Sequence, residues 1–268
     1  MTLPFTSTGP DDAPAILLLH GFMGQASDWD EVANRLAGFR CVAVDLPGHG
    51  EALELPEAAF SMEGTTGALL DTLDDMGIQR PRVVGYSMGG RLALHLALRH
   101  PGRCARLVLE SASPGLKTEA ERAERRTLDA DRAAEIQRDL PDFLDRWYRM
   151  PLFASLDGHP GLREAFVAKR LRNRPEGLVR SLRGLGTGAQ SSLWDDLAEL
   201  SVPTLAVAGG RDRKFVDLAF EMAAAAPPLV PLVVPAGHTV HAEQPDLFAA
   251  LVRNFFRDPV AEPQPALT

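Results

Sequence analysis

Short apolar runs alternate with amphipathic helical patterns along this chain. Residues 15–19, 41–44, 82–84, 106–109, 204–208 and 232–234 are rich in Val, Leu or Ile and bounded by Gly, Pro or Asp, which predicts buried strands. Apolar residues recur at helical spacing over 61–76, 88–99, 216–226 and 244–256. Strands alternating with helices predict an α/β fold, a mostly parallel sheet with helices on both faces. Little chain precedes Ala15, so the sheet's edge shrinks to a short strand around residues 3–6.

Residues 112–187 break the rhythm, with helical periodicity and no strand-like run. They predict a helical lid inserted into one domain that spans 1–268. Within 117–183 stand fifteen Lys or Arg and twelve Asp or Glu, although the whole chain has 28 basic against 36 acidic residues and a net charge of −8. Solvated helix faces with pairs such as Glu121 and Arg125 at i, i+4 account for most of these charges. They do not account for a positive excess in an acidic chain. Residues 258–268 carry three prolines and no periodicity, which predicts a frayed or disordered tail.

The acidic balance argues against a nucleic-acid partner. No apolar run approaches the ~18 residues of a membrane span, and the first twelve residues lack the pattern of a signal peptide. Two cysteines, Cys41 and Cys104, make neither a disulfide framework nor a metal motif. A soluble cytoplasmic protein is expected, monomer or weak homo-oligomer.

The strongest chemical signal is Gly85-Tyr86-Ser87-Met88-Gly89-Gly90. It fits G-x-S-x-G, follows a predicted strand and opens a predicted helix, the context of a strained nucleophile turn. The competing reading is a Gly-rich turn with a capping serine. Ser87 needs a base, and His238 in Pro235-Ala236-Gly237-His238 follows the last strand; His241 competes. Asp212, just after the strand at 204–208, is the candidate to orient His238, ahead of Asp217 and Asp195. The order Ser87, Asp212, His238 is that of a known fold. An oxyanion hole needs two backbone donors, here expected from Met88 and Phe22. Arg91 lies four residues after Ser87, on the same helical face. Its planar fork suits a carboxylate, and a plain helix-surface arginine is the alternative.

Together His20-Gly21-Phe22, Asp45-Leu46-Pro47-Gly48-His49-Gly50, the Ser87 motif and Gly237-His238 resemble the α/β-hydrolase superfamily. A narrower resemblance rests on Gly85 to Arg91, Pro114-Gly115-Leu116, Glu121-Arg122-Ala123-Glu124-Arg125, Trp147-Tyr148, Phe153-Ala154-Ser155-Leu156, Arg211-Asp212 with Lys214-Phe215, and His241 with Glu243. In these the chain resembles the 2-succinyl-6-hydroxy-2,4-cyclohexadiene-1-carboxylate synthase family of menaquinone biosynthesis.

That resemblance implies a carbon–oxygen lyase without metal or organic cofactor, with a small polycarboxylate as its substrate. It would eliminate pyruvate from 2-succinyl-5-enolpyruvyl-6-hydroxy-3-cyclohexene-1-carboxylate, with Ser87 as base. Carried over by motif, His20, Tyr86, Arg91, Arg125, Trp147 and Arg170 would bind substrate. Arg172 and Arg174 compete with Arg170, and Trp147 could be only a core aromatic of the lid. Two rivals remain: a carboxylesterase or C–C bond hydrolase working through an acyl-serine, and a non-catalytic hydrolase-fold receptor.

Overall fold

Strands β1 (Phe5–Thr8), β2 (Ala15–Leu19), β3 (Arg40–Val44), β4 (Arg82–Tyr86), β5 (Arg106–Glu110), β6 (Thr204–Gly209) and β7 (Leu229–Val234) form one sheet in the order β1-β3-β2-β4-β5-β6-β7. Every neighbouring pair is parallel except β1 with β3. The coordinates are a computed structural model that describes residues 1–257, so the tail expected at 258–268 lies outside the described residues. Helices α1 (Asp30–Ala33), α2 (Met62–Asp75), α3 (Met88–Arg99), α4 (Glu119–Arg138), α5 (Leu140–Tyr148), α6 (Leu162–Arg170), α7 (Pro175–Leu185), α8 (Arg213–Ala225), α9 (Val240–Glu243) and α10 (Pro245–Arg257) follow in chain order.

Both faces of the sheet are covered, and the side-chain alternation of a strand explains how. On β2, Leu17 and Leu19 pack on one side with α2, α3 and α8, through residues such as Leu69, Leu92 and Met222. Ile16 and Leu18 pack on the other with Trp29, Phe248 and Phe256. A third apolar cluster lies in the helices between β5 and β6, where Phe143, Tyr148, Phe166 and Leu178 close around Met23 from the loop after β2. The carboxyl ends of β2, β4, β5 and β6 therefore face this helical segment, the edge at which open α/β sheets bind ligands.

Two expected boundaries shift for clear reasons. Strand β7 starts at Leu229, three residues before the expected 232, because Pro231 disguised it. At the edge of a sheet a missing N–H is tolerated. Strand β1 runs from Phe5 to Thr8 and takes its register from β3. No helix among the described residues is long and apolar enough to cross a membrane.

The expected pair of Glu121 with Arg125 does not form. Glu121 closes a capping box with Thr118 at the start of α4, accepting from the Thr118 N–H at 2.8 Å. Arg125 turns instead to Asp129, one turn on.

Candidate active site

Ser87 sits between β4 and α3 with φ at +51°, a strained conformation for a residue with a side chain. The turn closes only because its neighbours are glycines. A Cβ at Gly85 would lie 2.4 Å from the Gly89 carbonyl oxygen, and one at Gly89 2.2 Å from that of Leu19. The Ser87 N–H donates to the Glu110 carbonyl at 2.9 Å, pinning the turn to β5.

Three loops deliver the expected trio to one place. His238 Nδ1 lies 2.6 Å from Asp212 Oδ2, and His238 Nε2 lies 3.4 Å from Ser87 Oγ. With Nδ1–H donated to the carboxylate, the Nε2 lone pair faces the serine, as a general base requires. The serine contact is loose, and such contacts commonly tighten when ligand enters. His238 and Asp212 are both buried. The competitors are accounted for elsewhere: His241 bonds the buried Glu110 carboxylate at 2.9 Å, Asp217 pairs with Arg213, and Asp195 is exposed.

Two backbone donors flank the serine. The N–H groups of Phe22 and Met88 have no acceptor among the described residues, and both residues line the cavity over Ser87. The Phe22 loop is braced from behind. Leu46 N–H donates to His20 Nε2 at 3.0 Å, and Met23 N–H donates to His49 Nε2 at 2.9 Å. Burial holds both imidazoles below their usual pKa, so they stay neutral and able to accept. His20 is 1% exposed, its Nδ1 is taken by the Gly21 carbonyl, and it lines none of the cavities at the site. The structure thus corrects its expected place among the substrate-binding residues: it supports the loop.

Above Ser87 opens a cavity of about 380 Å³, a size suited to a small molecule. Arg91, Arg125, Arg132 and Lys214 line it, and among the described residues no acidic side chain does. Arg91 is buried and donates to Gln190 Oε1 at 2.6 Å and the Leu185 carbonyl at 2.7 Å, both neutral. Burial, then the charge of Arg125, lowers its pKa to about 10. Arg125 Nε lies 2.7 Å from Asp129 Oδ1, and Arg132 Nη1 reaches the same oxygen at 3.2 Å.

A smaller cavity of about 60 Å³ adjoins on the other side of Ser87 and His238, with Tyr86, Tyr148 and Arg170 in its wall. Burial pushes the Tyr86 phenol well above its usual pKa. Arg170 is buried and grips both oxygens of Asp28, at 2.8 and 2.7 Å, while its Nε donates to the Tyr148 hydroxyl at 3.1 Å. Arg172 and Arg174 are exposed, and of the three only Arg170 lines the cavity. Trp147 lines both cavities, edge-on to Phe22 and stacked on Phe143. Sequence reasoning missed Arg132, Asp129 and Asp28. Helical spacing could have found the first two, since 125, 129 and 132 share a face.

The α/β-hydrolase fold family matches residues 14–245. A Bacillus subtilis (strain 168) protein, provisionally named 2-succinyl-6-hydroxy-2,4-cyclohexadiene-1-carboxylate synthase, is 40% identical over 251 residues, 92% of this chain and 92% of its own. A Citrobacter koseri protein with the same name is 36% identical over 88% of this chain and 91% of its own. Among solved structures, that of MenH from S. aureus superposes with a TM-score of 0.90 at 32% identity, covering 96% of this chain and 98% of that one.

Proposed function

The chain belongs to the α/β-hydrolase fold family and, within it, to the 2-succinyl-6-hydroxy-2,4-cyclohexadiene-1-carboxylate synthases, and from that premise we propose how its residues carry out the reaction. It releases pyruvate from 2-succinyl-5-enolpyruvyl-6-hydroxy-3-cyclohexene-1-carboxylate. Ring carbon C2 is acidified by the succinyl ketone beside it. Ser87 Oγ takes the C2 proton and passes its own to His238 Nε2, and Asp212 offsets the charge that appears on the imidazole. The C2–H electron pair becomes C2=C3, the C3=C4 pair moves to C4=C5, and the C5–O bond breaks. The enolate that leaves takes up one proton at carbon and is pyruvate, so the proton lost from C2 is balanced. Charge that builds on the ketone oxygen is met by the N–H groups of Phe22 and Met88.

The observation that carries this reading is a serine–histidine–aspartate trio opening on a cavity lined by four basic side chains and no acidic one. The substrate is a tricarboxylate. An esterase for neutral substrates has little use for buried guanidinium groups, which cost free energy unless an anion meets them. Arg91 and Arg125 hold carboxylates of the substrate, Tyr86 and Trp147 shape the space around the ring, and Arg170 keeps Tyr148 in the wall of the smaller cavity. The helices from about 112 to 187 act as a lid on a single domain.

The test supplies the purified protein with the precursor made in place by the upstream enzyme and follows pyruvate through lactate dehydrogenase. Rapid pyruvate release is expected, and Ser87→Ala should lower kcat by about 10²–10⁴-fold, the usual range for losing a general base. No pyruvate together with a fast burst on an aryl ester would replace this reading with an acyl-serine hydrolase.

A further inference from the structure

The charge on the wall of the larger cavity does not balance. Arg91, Arg125 and Arg132 stand close enough that Arg125 lowers the pKa of both others, after burial as the larger cause. Asp129 is the carboxylate hydrogen-bonded to Arg125 and Arg132; Glu135, paired with Arg146, adds only a weaker charge interaction with Arg132. Asp129 Oδ1 is shared by Arg125 and Arg132, and its Oδ2 is buried without a hydrogen-bond partner. Most other arginines of α4 to α7 that reach a carboxylate do so on the surface, as Arg146 and Arg149 do. Two basic residues of the 117–183 span, Arg125 and Arg132, thus join Arg91 at the cavity, while others such as Arg172 and Arg174 are exposed.

Arg132 is the member with no part in the family resemblance. Its guanidinium lies 5.2 Å from the centre of the Trp147 ring, which fixes its plane, and its side chain is 17% exposed. Arg125 and Arg132 are seven residues apart on one face of α4 and approach Asp129 from either side. With one shared oxygen occupied between them, both keep N–H groups for another acceptor, since a guanidinium has five.

We propose that Arg132 is a specificity-determining residue of this site: with Arg125 it forms a two-guanidinium receptor for a carboxylate at the end of a flexible chain. This rests on the function proposed above, in which that carboxylate ends the succinyl arm. Asp129 is then a positioning residue that spaces the two forks, and Trp147 orients Arg132. A substrate whose arm ended in an amide or ester would lose most of its binding here and little of its reactivity at C2.

The experiment measures kcat and KM for pyruvate release by wild-type protein, Arg132→Gln and Arg132→Lys. Arg132→Gln should raise KM at least tenfold with kcat within threefold of wild type. Arg132→Lys should recover part of the loss, and in a fourth protein, Arg132→Ala, added guanidinium ion should lower KM toward wild type. A KM for Arg132→Gln within twofold of wild type overturns the proposal. So does a fall in kcat at unchanged KM, or a KM rise that neither lysine nor guanidinium relieves in variants with wild-type melting temperatures. If wild-type protein releases no pyruvate, the functional reading fails by itself. The receptor is then tested by thermal shift with glutarate: stabilisation of wild type but not of Arg132→Gln supports it, and equal shifts or none overturn it.

Discussion

Two groups of arginines flank Ser87, and they differ in one respect. Arg170 meets both oxygens of a buried carboxylate that the fold itself provides. Arg91 meets only neutral oxygens, and Arg125 and Arg132 share a single one of Asp129. The pKa values follow the same division. Burial alone would raise the Asp28 carboxyl, yet the charge and hydrogen bonds of Arg170 bring it down to about 2, which favours its charged form. The Arg91 guanidinium also comes down, to about 10, and for a cation that disfavours the charged form. A guanidinium with its counter-ion built in is a structural pin. One left short of counter-charge is, in the function proposed above, a receptor whose completing anion is the substrate.

The largest effect should come from breaking the pin. Asp28→Asn leaves the Arg170 charge buried and unmet, which costs about 3–5 kcal/mol. A urea titration reads it, and a loss under about 1 kcal/mol would put Arg170 in the same class as its neighbours across the serine. The pair also predicts an acid limb. The folded carboxyl titrates near 2 against an ordinary 3.8, so its stabilisation is complete above about pH 4 and is lost as pH falls toward 2. The Asp28→Asn variant should show a flatter stability curve over that window.

Next in size is the receptor side. Arg125→Gln should remove the charged hydrogen bond proposed for the substrate, worth about 1.5–3 kcal/mol, so KM should rise roughly 10- to 100-fold. Its stability should stay within about 1 kcal/mol of wild type, because the side chain relieves crowding among like charges as it leaves. Arg170→Gln should show the reverse: a large loss in the urea titration and, for whatever remains folded, a smaller change in KM. Matching profiles for the two variants would erase the distinction between pin and receptor.

The sequence announced one half of this contrast and hid the other. Ser87, Asp212 and His238 were legible because each stands in a short local turn after a strand, and local turn chemistry is written in neighbouring residues. Arg91 was legible for the same reason, one turn along the helix from Ser87. Arg170 and Asp28 are 142 residues apart, so nothing near either one marks the pair. Arg132 looked like any charge on a solvated helix until Trp147 and the cavity fixed its surroundings. His20 misled in the opposite direction: its motif places it beside the donor loop, but only the fold reveals that both its nitrogens are consumed by backbone groups. The early start of β7 was hidden by Pro231, which a sheet edge accommodates and a pattern search rejects.

The smallest effect concerns the helix that carries the receptor. Thr118 caps α4, its hydroxyl accepting from the Glu121 N–H at 3.2 Å. Thr118→Ala should cost about 1 kcal/mol in a thermal or urea titration. It should leave KM within about twofold of wild type, because Arg125 and Arg132 are held by Asp129 and Trp147, well inside the helix. A KM that rises as far as it does for Arg125→Gln would mean that the order of the whole helix sets affinity. The contrast between the two arginine groups would then lie in rigidity, with Arg170 fixed by the core and the receptor assembled only when α4 is fully wound.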